Sequence, residues 1–249
     1  VSTPDLHEVL PGVHRIAHAA TCCYLLQRDG RLVLVDAGLP RTRGRIEAAL
    51  RSLGAGWGDV EAVVLTHAHF DHLGDLGRVQ REHDVPVLTA LGDVRIAEHP
   101  YRYRPGVNRL RFIATHPGGW PYQAQMIANG ALKVPGVERV QALPEGPLAV
   151  LPDLEVVPTP GHTDGHCALH LRSASAVLTG DALVTLDPYT GRTGPRIVAR
   201  PGTRRPEQAR ASLAPIAATG ADVVLPGHGE PFLGGAARAA AMAEAEPVG

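Results

Sequence analysis

Thr66-His67-Ala68-His69-Phe70-Asp71-His72 places four side chains able to ligate a metal within six residues. The stretch follows directly on the apolar run Ala62-Val63-Val64-Leu65, so a buried strand ends and spills its ligands into a tight loop. His67 and His69, two apart, could reach round to one metal ion. Asp71 and His72, adjacent and turned the other way, could serve a second. With 13 His in 249 residues some clustering arises by chance. The H-x-H-x-D-H order at a strand end, with more ligand types at later strand ends, separates it from a merely His-rich surface loop.

Those later ends are legible in the same way. The apolar run 32–35 stops at Asp36. The run 154–157 leads through Pro158-Thr159-Pro160-Gly161 to His162, 176–179 ends in Gly180-Asp181, and 223–225 in Pro226-Gly227-His228. In open α/β sheets, sites lie outside the carboxyl ends of the strands, so these five polar endings are expected to converge. Each alone is weak, because a His after Pro-Gly is more often a turn residue.

The elements that must position them read as follows. Strands are expected at 13–17, 22–27 and 32–35, the last buried on both faces. Ile46, Leu50 and Leu53 at i, i+4 and i+7 predict a helix over 41–53, with Gly54 as its stop. A strand over 61–66, a helix over 73–83 and a strand over 85–88 follow. Alternation returns at 137–140 and 148–151, with strands at 154–157, 166–171 and 176–179. A Gly/Pro-rich loop spans 188–205. Pro206 opens a helix to 219 that Pro215 should kink. A last strand at 222–225 and an alanine-rich helix over 234–246 close the chain.

Between His99 and Pro135, prolines and glycines break all periodicity, and Tyr101, Tyr103, Phe112, Trp120 and Tyr122 gather with Arg102, Arg104, Arg109 and Arg111. The expectation is one domain over 1–249 with an irregular insertion at about 99–135 covering a pocket. Its arginines could meet a substrate carboxylate or phosphate. His116 is the histidine of this stretch expected to touch substrate.

The totals exclude several classes. Lys+Arg 24 against Asp+Glu 25 gives a formal charge of −1, which offers no basic field for nucleic acid. Cys22, Cys23 and Cys167 are neither a disulfide framework nor a zinc-finger spacing. No apolar run approaches the ~20 residues of a membrane helix, and residues 1–5 lack a signal pattern. A cytoplasmic protein acting on a small molecule, with no nucleic-acid or membrane partner, is the expectation; oligomeric state is left open.

His67-x-His69-x-Asp71-His72, Gly161-His162-Thr163, Thr179-Gly180-Asp181 and Pro226-Gly227-His228-Gly229 together resemble the motif set of the metallo-β-lactamase superfamily. The resemblance implies an α/β fold, a four-layer αβ/βα sandwich of two mixed sheets face to face with helices outside. It implies that His67, His69 and His162 hold one metal, that Asp71, His72 and His228 hold another, and that Asp181 bridges them. Asp36 then orients the loop rather than ligating. Five imidazoles and two carboxylates without a thiolate suit zinc, and could accept iron, manganese or cobalt. Two such ions ~3.5–4 Å apart lower the pKa of a shared water towards ~7, giving a bridging hydroxide as nucleophile, with Asp71 aiming it.

Departures narrow the reading. True β-lactamases of the superfamily carry Cys or Ser where Asp181 stands, and flavodiiron proteins carry Glu at His69. Glyoxalase II-like thioesterases share the ligands, but with only 21 residues following His228 in this sequence their helical C-terminal part is not expected here. They also share His166, from which a structural hydrogen bond is expected. Lactonases place a Tyr where Val184 stands, with Tyr189 as a possible substitute. The expected activity is dinuclear hydrolysis of a small ester, thioester or lactone. The alternative is an iron persulfide dioxygenase, which has a single iron and makes no use of a ligand at His228. Cys167 is expected to be a small core residue.

Overall fold

Period-two alternation in each strand divides the apolar residues between separate cores, and this sets the layers. A computed structural model describes residues 6–103 and 105–249; the expectations for residues 1–5 and for Arg104 lie outside the described residues. Among the described residues the first sheet has seven strands in chain order: β1 (Leu6–Leu10), β2 (Val13–His18), β3 (Thr21–Arg28), β4 (Arg31–Val35), β5 (Val60–Val64), β6 (Val87–Thr89) and β7 (Val140–Ala142). The first four pair antiparallel and the rest parallel. Helices α1 (Arg43–Ser52), α2 (Phe70–Leu73), α3 (Leu76–His83), α4 (Val94–Glu98), α5 (Arg109–Thr115) and α6 (Trp120–Ala128) fall within this half.

The second sheet is built from β8 (Gly146–Leu148), β9 (Leu151–Pro158), β10 (Cys167–Leu171), β11 (Ala176–Gly180) and, after the hairpin β12 (Val184–Leu186) and β13 (Thr193–Arg196), β14 (Val223–Pro226). Its order is β14-β11-β10-β9-β8, with β11 and β14 parallel and the other pairs antiparallel. Helices α7 (Pro206–Ala211), α8 (Leu213–Ala218) and α9 (Ala236–Ala245) complete the fold. Among the described residues no helix is long and apolar enough to cross a membrane.

Val33, Val35 and Val64 point into the core between the sheets and meet Leu154, Leu169, Leu171 and Leu178 of the second sheet. Their neighbours Leu32, Leu34 and Val63 point the other way, onto Ile46, Leu50, Leu76 and Val79 of α1 and α3. Ala168, Val177 and Val224 face outward onto Ala209, Leu213, Ile216 and Ala239. Three cores between four layers give the expected sandwich. Each fully buried Leu or Val contributes roughly 1.5–3 kcal/mol, so the sheets are a rigid platform for whatever their strand ends carry.

Several elements differ from expectation. The helix expected over 73–83 starts at Phe70 and breaks at Gly74, whose φ of 54° is the left-handed conformation glycine tolerates. The stretch 99–135 is not wholly irregular but contains α5 and α6; Asn108 caps α5 by accepting the Arg111 N–H at 3.0 Å. The loop 188–205 contains β13, paired with β12. The helix over 206–219 does break as Pro215 led one to expect: it splits at Ser212, because Pro215 has no N–H for the carbonyl of Ala211. Strands β7 and β8 sit a few residues from the expected 137–140 and 148–151, and β1 is an addition.

Candidate metal centre

The loop after β5 is held first by Asp36. Asp36 Oδ1 accepts the Thr66 main-chain N–H and Oδ2 the Thr66 hydroxyl, both at 2.8 Å, and Oδ2 lies 2.9 Å from His72 Nδ1. Its φ of 57° is strained for a non-glycine residue, and these three bonds keep it there. Asp36 therefore stands behind the ligands, fixing Thr66 and His72.

Four of the five histidines are oriented by the nitrogen they turn away from the centre; the fifth, His69, sets its Nδ1 2.9 Å from His162 Nε2. The Thr66 hydroxyl already donates to Asp36, so it accepts from His67 Nδ1 at 3.1 Å. The Thr203 hydroxyl donates to the Val198 carbonyl at 2.6 Å and accepts from His162 Nδ1 at 3.3 Å. His228 Nδ1 donates to the Ala20 carbonyl at 2.5 Å. With Nδ1 engaged in this way, Nε2 of His67, His72, His162 and His228 turns inward.

Those nitrogens meet. His67, His69 and His162 form one compact group, Asp71, His72 and His228 a second, and Asp181 joins His67 and His72 between them. Asp181 Oδ2 lies 3.1 Å from His228 Nε2 and 3.4 Å from His162 Nε2, and Oδ1 lies 3.4 Å from His72 Nε2. Asp71 Oδ2 is 3.6 Å from His228 Nε2. All seven residues expected from sequence are thus drawn to one place, and all are buried.

The donor set fits divalent cations. His67 Nε2, His72 Nε2 and Asp181 Oδ1 are buried and make no hydrogen bond. Leaving such an atom unpaired costs about 1–3 kcal/mol each, and inward-facing imidazole and carboxylate atoms are ligands a divalent ion takes up. The electrostatics agree. Burial, then neighbouring His72 and His162, holds His67 well below the ordinary histidine range. Burial likewise holds His69 well below it and His162 at about 4, so these three stay neutral and available. Burial alone would also lower His72 and His228, but the Asp181 carboxylate raises both, and they in turn lower Asp181 despite its own burial. Protons balance the carboxylates in the absence of metal, and a cation displaces them on binding.

The same arrangement has a counterpart in known proteins. A family model described as the metallo-beta-lactamase superfamily matches residues 20–228. The chain belongs to this superfamily. It is 28% identical over 243 residues to probable metallo-hydrolase YflN of Bacillus subtilis (strain 168), covering 91% of this chain and 87% of that protein. The metallo-beta-lactamase family protein TTHA1429 from Thermus thermophilus superposes with a TM-score of 0.69 at 27% identity, over 96% of this chain and 80% of that one. TTHA1623, solved in a di-iron-bound form, superposes with a TM-score of 0.61 at 25% identity, over 88% and 92%.

Other superfamily residues fall where their chemistry predicts, and some do not. His166 is structural: its Nδ1 bonds the Thr159 hydroxyl at 2.8 Å and its Nε2 accepts the main-chain N–H of Asp181 at 3.0 Å. Cys167 is a buried core thiol. His116 does not reach the centre; it stacks on Phe112 with ring centroids 3.8 Å apart. Arg111 is exposed on α5 and Arg109 is turned inward, its guanidinium 5.1 Å from the Tyr103 ring and 6.0 Å from Phe70. Tyr103 covers His69, with centroids 4.3 Å apart. Tyr189 is buried, its hydroxyl raised well above the ordinary range by burial.

Asp93 carried no signal in the sequence. It is fully buried, and its carboxylate accepts from the Ala68 N–H at 3.0 Å, the Thr163 hydroxyl at 2.7 Å and the Gly165 N–H at 2.8 Å. It thereby ties the loop bearing His67 and His69 to the loop bearing His162. A lone Gly-Asp before a helix is indistinguishable from an ordinary turn or cap, so only the fold reveals this role. Gly227 stands in the Pro-Gly-His-Gly motif read from the sequence, and the fold shows why it is glycine. A Cβ there would lie 2.5 Å from Asp181 Oδ1 and 2.7 Å from His72 Cε1, so glycine lets two ligands pass the chain.

Proposed function

We propose that the protein is a dinuclear metal-dependent hydrolase of a small-molecule ester, thioester or lactone, with zinc as the ion its donors suit best. The observation that carries the reading is Asp181, whose Oδ2 lies against both His162 of the first group and His228 of the second, and whose Oδ1 lies against His72. His67, His69 and His162 would hold one ion, Asp71, His72 and His228 the other, and Asp181 both. Divalent cations bound there would supply Lewis acidity towards a substrate carbonyl and a hydroxide near neutral pH from water whose pKa otherwise stands at ~15.7.

The chain's own groups do the rest. Asp71, in the second group beside His228, would accept a hydrogen bond from the attacking water and so aim it. Its side chain is somewhat less enclosed than that of Asp181, 11% exposed against 4%. Tyr103 over His69, with the Arg109 guanidinium behind it, covers one side of the first group. The di-iron form of TTHA1623 supports the two-ion reading.

The place of His228, 3.1 Å from Asp181, favours hydrolysis over the single-iron dioxygenase alternative. Metal analysis tests the choice: about two ions per chain accompany hydrolysis, whereas a single iron with oxygen uptake would reject it. A screen of the loaded protein over thioesters, lactones, carboxylic esters and phosphotriesters then selects the substrate. His69→Ala or Asp181→Ala should abolish turnover and lower metal content; full activity in either variant would remove the assignment.

A further inference from the structure

A cavity of about 370 Å³ opens on the first ligand group, with His69 and His162 in its wall. The same wall carries Arg95, Arg102 and Arg204 against a single carboxylate, Asp164. The three arginines come from separate places: α4, the segment after it, and the segment before α7. Arg204 is ion-paired with Asp164, and Arg205 shares that carboxylate at 3.3 Å, so its charge is already committed. Among the described residues the guanidinium groups of Arg95 and Arg102 have no ion-pair or hydrogen-bond partner, and both side chains are exposed. The whole chain has a formal charge of −1, so this excess of positive charge is local to the mouth of the centre.

We infer that Arg95, Arg102 and Arg204 form an anion subsite, and that the substrate carries a carboxylate or phosphate remote from its scissile bond. The inference rests on the hydrolase reading for the reaction, but not for the binding of the anion. A cavity lined by one sign of charge concentrates ligands of the other sign. Guanidinium groups pair with planar carboxylate or phosphate oxygens through two parallel hydrogen bonds, and two unpaired arginines give up no internal contact in doing so. A neutral ester gains nothing from this wall. The arginines expected from sequence to serve this purpose are redistributed: Arg102 lines the cavity, Arg109 and Arg111 do not, and Arg95 and Arg204 replace them.

The test compares three esters on the metal-loaded protein: mono-4-nitrophenyl adipate, its terminal amide, and 4-nitrophenyl 6-phosphooxyhexanoate. At low salt, kcat/KM should favour at least one anionic ester over the amide by about tenfold, and the better anion identifies the carboxylate or phosphate arm. Added sodium chloride should erode the preference. Arg95→Gln/Arg102→Gln should reduce it mainly by raising KM for the anionic ester. Equal kcat/KM for charged and neutral esters in the wild type, or an unreduced preference in the double variant, would overturn the inference while leaving hydrolysis intact. Calorimetry with adipate and inorganic phosphate gives a readout free of turnover, in which affinity should fall about tenfold in the double variant. If no ester is cleaved but that fall is seen, the anion subsite stands and the hydrolase reading fails. Wild-type affinity for both anions in the variant overturns the subsite.

Discussion

His166 accepts the main-chain N–H of Asp181 at Nε2, 3.0 Å away, and so holds in place the carboxylate common to both ligand groups. The same nitrogen faces the Ala182 N–H at 3.2 Å. Burial keeps the imidazole well below the ordinary histidine range, so it remains an acceptor at neutral pH.

His166→Phe should therefore loosen Asp181 without removing a ligand. The expected result is a loss of about 10–100-fold in metal affinity, the scale seen when a group behind a ligand is removed. Competition with a chelating dye measures it. Unchanged affinity would mean that the turn around Asp181 is held by β11 and β14 alone.

Asp93 ties together two ligand loops through three hydrogen bonds. Asp93→Ala strands two main-chain N–H groups and a hydroxyl in a buried place, at about 1–3 kcal/mol each. Thermal melting should show a Tm lower by several degrees, with metal lost from the His67, His69 and His162 group. Asp93→Asn keeps the shape and part of the bonding, and should fall between the two.

Gly227→Ala should displace Asp181 and His72, because the added Cβ would meet both. The predicted outcome is a folded protein whose metal content falls towards about one ion per chain, read by elemental analysis alongside circular dichroism. Two ions per chain with full activity would show that the strand end moves freely.

Acid should act through His162 in the metal-free protein. Its pKa is about 4 in the fold, set by burial, against an ordinary 6.5, so the folded state favours the neutral ring. Its contribution is complete above 6.5 and is lost as the pH falls towards 4. The stability advantage of wild type over His162→Gln, from urea midpoints, should shrink across that window by about 3 kcal/mol. An advantage that grows on acidification would contradict the sign.

The ligand types, their order and their placement at strand ends were all readable from the chain, because each feature is local. An apolar run followed by Asp36, His67, His162, Asp181 or His228 declares a strand and what it delivers. The two face-to-face sheets followed only from the resemblance of the motif set; the continuous apolar runs 32–35 and 62–65 announce strands buried on both faces, and the fold divides their side chains between two cores. The missing N–H of Pro215 announced the break at Ser212, whereas the break imposed by a single φ at Gly74 shifted a boundary that periodicity could not resolve.

Tertiary structure alone decided what stands behind and in front of the ligands. Asp93 reaches Thr163 across 70 positions, and Arg95, Arg102 and Arg204 share a wall although they lie in separate segments. Such groupings depend on how loops from two sheets meet at one end of the sandwich. Side chains of ordinary type at unremarkable spacing carry no local trace of it. His116 shows the converse, since chemistry suited to a substrate contact is spent on stacking against Phe112 once α5 forms.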